Sequence, residues 1–366
     1  MRVGVFVPRR ERCGVGDFAG RLAMAFPDTV ECRLIHYPDD DSSRAWRRAA
    51  RTADGLDLVH VHYEYGLFGS VKPYRNRFAA FMGRLGPPAV VTLHGQLPEL
   101  APRWGAERFA ASDVFRDLAY LPFFRRWNRI MYGRGAHWVV HSRILCDRVT
   151  SVVGEERTTY LPLPVPNTDR TWLDAERGDL VLVSPGFVKP HKGYEVFLDV
   201  VRELGSFSWV IAGGPQDRRD ERYLGELCRL IDASGIGDRA KVTGYLSRAE
   251  MEEVMCRATM AVFPFRDVAG SASMAWAVGC GVPVVTTDLP EFRSLRSRGA
   301  GIELLPIGSP DSWPGFIERL GNDYDRLVDL ARRNRDFGSE NTFETCAAAL
   351  VEVFERVTCE CRNLEK

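Results

Sequence analysis

The stretch with the most pointed chemistry is GFVKPHKG, residues 186–193. Only five of the 49 basic residues are lysines (72, 189, 192, 241 and 366), and two of them fall here. An apolar run precedes the stretch and a helical pattern follows it, so Lys189 and Lys192 lie between a strand end and a helix start. A helix N-terminus offers unpaired N–H groups and the positive end of its dipole, and added cations make such a place a phosphate site. A second stretch, FPFRDVAGSASMAWAVGCGVPVVTT (residues 263–287), puts Gly270, Ser271 and Ala272 at another helix start. Small residues there let the backbone approach a phosphate closely, although they serve close helix–sheet packing equally well. Paired with the lysine loop, they make a diphosphate cradle.

The first half carries its own candidates. ERCGVGDFAGRL sets Gly14, Val15 and Gly16 in a tight turn before a helix, which is half of a dinucleotide fingerprint. The third glycine is missing, and no acid closes the next strand, Glu31–Ile35, as a nicotinamide site would want. VVTLHG places His94 at the carboxyl edge of a strand, and HVHYEYGLFG does the same for His62 and Glu64. Ordinary edge hydrogen bonds are the plain alternative for each.

These residues need strands and helices to hold them. Short apolar runs recur at Val3–Val7, Leu56–Val61, Ala89–Leu93, Trp138–His141, Leu180–Val183, Trp209–Ala212, Ala261–Pro264 and Val282–Thr286. Runs without polar alternation suit strands buried on both faces of a parallel sheet. Helical stretches fill the gaps, for instance Asp17–Ala25, Tyr194–Leu204, Arg219–Ala233 and Arg248–Cys256. The alternation predicts an α/β protein of two doubly wound, Rossmann-like domains facing across a cleft. A Pro-rich stretch across residues 160–178 reads as a linker. The division is an N-terminal domain at 1–165, a second domain at 166–340, and a last helix at 341–366 that packs back across the domains.

Composition narrows the class. With 45% hydrophobic and 27% charged residues, the 366-residue chain is an ordinary globular sequence, neither disordered nor collagen-like. Nine scattered cysteines show no zinc spacing and read as free thiols. No window approaches a membrane span, and a cytoplasmic protein is expected. Basic and acidic residues cancel at 49 each, yet residues 1–165 hold 24 against 17, an excess of +7. In that half, Arg125, Arg126, Arg129 and Arg134 alternate with Phe123, Phe124, Trp127 and Tyr132, a pattern that suits a helix packed on the sheet. It also suits peripheral contact with an anionic membrane, or stacking on nucleic acid, the less favoured of the two.

Taken together, CGVGDFAGRL, VVTLHG, WVVHS, GFVKPHKG, WVIAGGP, VTGYLS and GCGVPVVTT resemble the retaining family 4 glycosyltransferases of the GT-B fold, in the family's order and over nearly the whole chain. The resemblance implies a nucleotide-sugar donor held mostly by the second domain and an acceptor, of unknown identity, held by the first. It implies Lys192 on the donor diphosphate, helped by Gly186 and Lys189, and Gly270, Ser271 and Ala272 as the phosphate turn. Val242–Leu246, with Gly244 and Tyr245, matches the loop beside the nucleobase. His94 matches the histidine near the transferred sugar, and Gly14–Gly16 the loop closing over the donor. His94 and Lys192 are thus the catalytic candidates, and Asp17, His62, Glu64 and Tyr65 the acceptor-side ones. Neither metal nor other cofactor is implied.

Two departures stand out. Where the family carries Arg after the loop glycine, this chain has Phe187. Where it carries two glutamates eight positions apart, this chain has Val268 and Trp276, with Asp267 one residue from the first. An indole cannot accept from a ribose diol as a carboxylate does. That loss motivates an alternative, a non-catalytic protein binding a phosphorylated ligand. The charge excess motivates another, a transferase with a polyanionic acceptor.

Overall fold

The computed structural model describes residues 1–9, 13–40, 42–68, 77–95, 136–176, 178–268 and 270–364. The chain forms two compact units, residues 1–162 with 343–366, and residues 163–342. Each is built on a six-stranded, wholly parallel sheet.

In unit 1 the strand order is β2-β1-β3-β4-β5-β6. Its members are β1 (Arg2–Val7), β2 (Glu31–His36), β3 (Leu58–Tyr63), β4 (Ala89–Leu93), β5 (His137–Val140) and β6 (Thr158–Tyr160). The central strands are buried residue by residue, as two-sided burial requires, whereas the edge strand β2 is largely exposed. An aromatic core of Phe6, Tyr37, Trp46, Tyr63, Phe68, Phe78, Phe81 and Trp138 fills one face. The helix after β1 runs Gly14–Ala25, so Gly14-Val15-Gly16 is its first turn rather than a turn ahead of it. The final helix, Phe343–Leu364, belongs to this unit.

Unit 2 has the order β12-β11-β10-β7-β8-β9. The strands are β7 (Leu180–Pro185), β8 (Phe207–Ala212), β9 (Ala240–Val242), β10 (Met260–Phe263), β11 (Val284–Thr287) and β12 (Ile302–Leu305). Only the first part of the Pro-rich stretch acts as a linker. Val165 pairs with Thr342, and Trp172 is fully buried with its indole donating to the Ala258 carbonyl at 2.8 Å. Apolar burial outweighs local proline content there. Among the described residues no helix is long and apolar enough to cross a membrane. The aromatic–basic stretch lies outside the described residues up to position 135.

Candidate functional site

In unit 2 the lysine loop and the small-residue helix meet. β7 ends at Pro185 and the chain turns at Gly186, whose φ is +98°. An added Cβ at Gly186 would lie 2.9 Å from Lys192 Nζ and 2.9 Å from Ser273 Cβ. The glycine, the ammonium and the start of the helix Ala272–Gly279 therefore converge on one spot at the carboxyl edge of the sheet. Gly193, at φ +71°, closes the loop against β10, since a Cβ there would come within 2.0 Å of the Pro264 carbonyl oxygen. Both positions require glycine.

Lys192 is 7% exposed. Its Nζ donates to the Pro185 carbonyl at 3.1 Å and stands 5.6 Å from the Phe265 ring centre. Burial, then the charge of Lys189, push its pKa down to about 7. An arriving anion would reverse that shift by supplying the missing counter-charge. Beside it, Ser271 caps the helix, its hydroxyl accepting from the Met274 N–H at 3.2 Å. The Ser271 and Ser273 hydroxyls lie 3.2 Å apart. Gly270 and Ala272 are exposed, as is Asp267, whose charge raises the pKa of His191 against the burial that lowers it.

The departures from the family pattern have visible consequences. Phe187 sets its ring edge-on to Tyr245 at 6.5 Å, with Lys189 Nζ 6.0 Å from the Phe187 centre. The loop of Gly244 and Tyr245 thus stands beside the lysine loop, with Tyr245 40% exposed. Val268 and Trp276 pack on the hydrophobic core. Trp276 Nε1 donates to Glu252 Oε1 at 3.3 Å, and the buried Glu252 pairs with Arg248 at 2.9 Å. A carboxylate is therefore next to position 276 after all, on the neighbouring helix Arg248–Arg257, but already engaged. A groove of about 460 Å³, lined by Val181, Lys241 and Arg257 among others, takes in Thr243 and Leu246 of the loop matched to the nucleobase but none of the lysine-loop or phosphate-turn residues.

Unit 1 gathers a different chemistry. Side chains two apart on a strand share a face, so β3 sends His60 and His62 to the same side. Its register against β4 sets His62 opposite Thr92, with His94 just beyond the strand end. His62 Nδ1 and His94 Nε2 are 2.8 Å apart, and His60 Nε2 bonds Thr92 Oγ1 at 2.7 Å. His141, beyond β5, bonds the Leu161 carbonyl through Nδ1 at 3.0 Å. Phe18 lies over the group, 4.8 Å from His94 and 5.2 Å from His141. Burial holds the cluster neutral. It lowers His60 to about 3 and His141 to about 4, and His62 and His94 well below the ordinary range, with the neighbouring rings adding to the effect for His60, His62 and His94.

The remaining candidates are placed as follows. The Glu64 carboxyl lies beside Gly66 and Gly95, the residue after His94. Asp17 pairs with Arg21 at 3.0 Å in the first helix. Tyr65 begins a short 3-10 turn, Tyr65–Phe68, and its side chain lies outside the described residues. His60, His141, Phe18, Ser273 and Glu252 are site neighbours that sequence reasoning missed. The HVH alternation could have found His60. WVVHS puts His141 at a strand end as VVTLHG does His94, whereas Phe18, Ser273 and Glu252 lie on helices and carry no local signal.

Two family models match the chain, Glycosyltransferase Family 4 over residues 8–168 and Glycosyl transferases group 1 over residues 179–323. The D-inositol 3-phosphate glycosyltransferase of Jonesia denitrificans is 25% identical over 189 residues, 50% of this chain. The match spans 44% of that relative's length. HepE of Anabaena, solved with UDP and glucose, superposes with a TM-score of 0.73 at 15% identity, covering 97% of this chain and 99% of its own. Sucrose-phosphate synthase of Thermosynechococcus elongatus gives 0.75 at 12% identity, covering 98% and 99%. At such identities the two solved structures speak for the fold.

Proposed function

This chain belongs to the family 4 glycosyltransferases of the GT-B fold, and from that membership we propose that it transfers a sugar from a nucleotide-sugar donor to an acceptor hydroxyl. The observation that carries the reading is the meeting of Lys192, Gly186 and the Ala272–Gly279 N-terminus at one carboxyl edge of unit 2. That arrangement fits a diphosphate. The donor C–O bond breaks through an oxocarbenium-like state, and the acceptor oxygen bonds to the same carbon with retention of configuration while its proton passes to an oxygen of the departing diphosphate. Lys192, Lys189 and backbone N–H groups stabilise charge on the departing diphosphate, a contribution on the order of a few kcal/mol per donor group. With cations and a helix dipole in that role, the reaction needs no metal. The family resemblance assigns His94 the contact with the transferred sugar, and the HepE complexes with UDP and UDP-glucose make uridine diphosphate the first nucleotide to try.

A thermal-shift screen of nucleoside diphosphates and their sugars tests the donor. One base should raise Tm by mass action, and Lys192→Met should reduce the shift at the same ligand concentration. Anomeric NMR of the product reads retention, and full turnover in chelator reads metal independence. No shift with any nucleotide would remove the proposal. The packed Trp276 favours one second reading, a protein that binds a phosphorylated ligand without turning it over. Saturable binding with neither transfer nor hydrolysis would select it. Unit 1 holds 27 Lys and Arg against 22 Asp and Glu, which supports an anionic acceptor reached in the cytoplasm, at a membrane surface or free. Acceptor binding that weakens steeply with salt checks this.

A further inference from the structure

The histidine cluster of unit 1 contains a proton whose position can be deduced. His62 is fully buried, and its Nδ1 lies 2.8 Å from His94 Nε2, so one of the two nitrogens donates and the other accepts. The second nitrogen of His62, Nε2, is buried with no hydrogen-bond partner among the described residues. A buried N–H without an acceptor is rarer and costlier than a buried lone pair without a donor. His62 therefore carries its proton on Nδ1 and donates it, and His94 Nε2 accepts. A neutral imidazole holds one proton, which leaves that of His94 on Nδ1.

We propose that His62 is a positioning residue that fixes His94 as its Nδ1–H tautomer, so that His94 meets the transferred sugar as a hydrogen-bond donor and not as a base. The role assigned to His94 rests on the glycosyl-transfer reading above; the tautomer does not. The surroundings hold the arrangement in place. Tyr37 donates its hydroxyl to the His62 carbonyl, pinning the strand from behind. Phe18 sets its ring edge-on to His62 at 5.8 Å and to His94 at 4.8 Å, closing the pair from the helix side. His60 lies 4.4 Å from His62, and His141 6.1 Å from His94, centre to centre. A protonated ring among three others would be desolvated beside like groups, which keeps His94 neutral and its single proton meaningful.

Long-range proton–nitrogen NMR of the ligand-free protein, labelled at histidine, reads the tautomer directly. In the wild type, His94 should show a protonated Nδ1 and a bare Nε2. His62→Asp puts an acceptor in place of the donor, and His94 Nε2 should then carry a proton. His62→Asn returns an amide N–H near the place of Nδ1 and should restore the original pattern. With the nucleotide sugar found in the donor screen, His62→Leu should lose kcat on the order of 10- to 100-fold, below the loss for deleting a transition-state donor outright. KM should stay within about 2-fold of the wild type, since the contact matters in the transition state rather than in binding. His62→Asn should regain most of the kcat. A wild-type His94 protonated on Nε2 overturns the proposal even if no variant folds. So does a bare Nε2 in His62→Asp, or equal kcat losses in Leu and Asn variants. If no nucleotide sugar is turned over, the glycosyl-transfer reading falls while the spectrum still decides the tautomer.

Discussion

At the residue scale, Lys192 is the side chain whose surroundings demand most. Its pKa is about 7 in the folded chain and near the ordinary 10.5 when unfolded. Between those values the unfolded chain binds more protons, so stability rises with pH from about 7 toward 10 and is lowest below 7. Lys192→Met should therefore be more stable than the wild type at pH 6, with the gap closing by pH 10. Melting curves across that range check it, and a gap that widens with pH would sink it. Nucleoside diphosphate binding should take up protons at pH 7–8, seen as a buffer-dependent heat in calorimetry. Loss of the charged contact should weaken that binding roughly 10- to 100-fold, from about 1.5–3 kcal/mol for a charge-assisted bond. Gly193→Ala should destabilise by about 1–2 kcal/mol or more, because a positive φ and a carbonyl oxygen 2.0 Å from the new Cβ act together. Lys192 was legible in the sequence because lysine is so rare in this chain. Ser273 was not, since only the fold brings it to Gly186. Trp276 was legible as a departure, but its bond to Glu252 was not.

Elements were legible in proportion to their burial. The central strands gave continuous apolar runs, and their positions follow from those runs to within one or two residues. The strands that gave no such run, β2, β6, β9 and β12, are the four sheet edges, and of these only β2 was read, as Glu31–Ile35. An edge strand has one paired side, so two-sided burial does not impose its pattern. β9 is three residues long, and β12 carries Glu303 in its middle. The strand edge also governs acid behaviour. His60 and His141 stay neutral to about 3 and about 4, while an unfolded histidine takes its proton near 6.5. The stability they contribute is complete above pH 6.5 and is lost as pH falls toward 4. Each proton adds a slope of about 1.4 kcal/mol per pH unit. Tm should drop through this window, and His141→Gln should drop less steeply. A flat Tm from pH 6.5 to 4.5 would contradict the buried assignment. On the helix Arg248–Arg257, the Ser247–Glu250 capping box should make Ser247→Ala cost about 1 kcal/mol, measurable by denaturant titration.

Across the whole molecule, the net charge of zero is a cancellation, +5 in unit 1 against −5 in unit 2. Unit 1 is also interrupted in sequence, since its last helix, Phe343–Leu364, follows all of unit 2. That helix sets Phe343 5.5 Å from Phe18, and Phe354 5.3 Å from His60 and 5.6 Å from Phe26. A chain stopped after Thr342 should lose the calorimetric transition of unit 1 and keep that of unit 2. Retention of both transitions would show that the helix is dispensable. In a cell the same arrangement becomes a matter of timing. The 180 residues of unit 2 leave the ribosome while the first 162 still lack their closing helix. At ordinary rates of translation that interval is on the order of 10–40 s. Through it, the histidine floor lies open to water and to chaperones, and the last 22-residue helix completes the half of the protein that was made first.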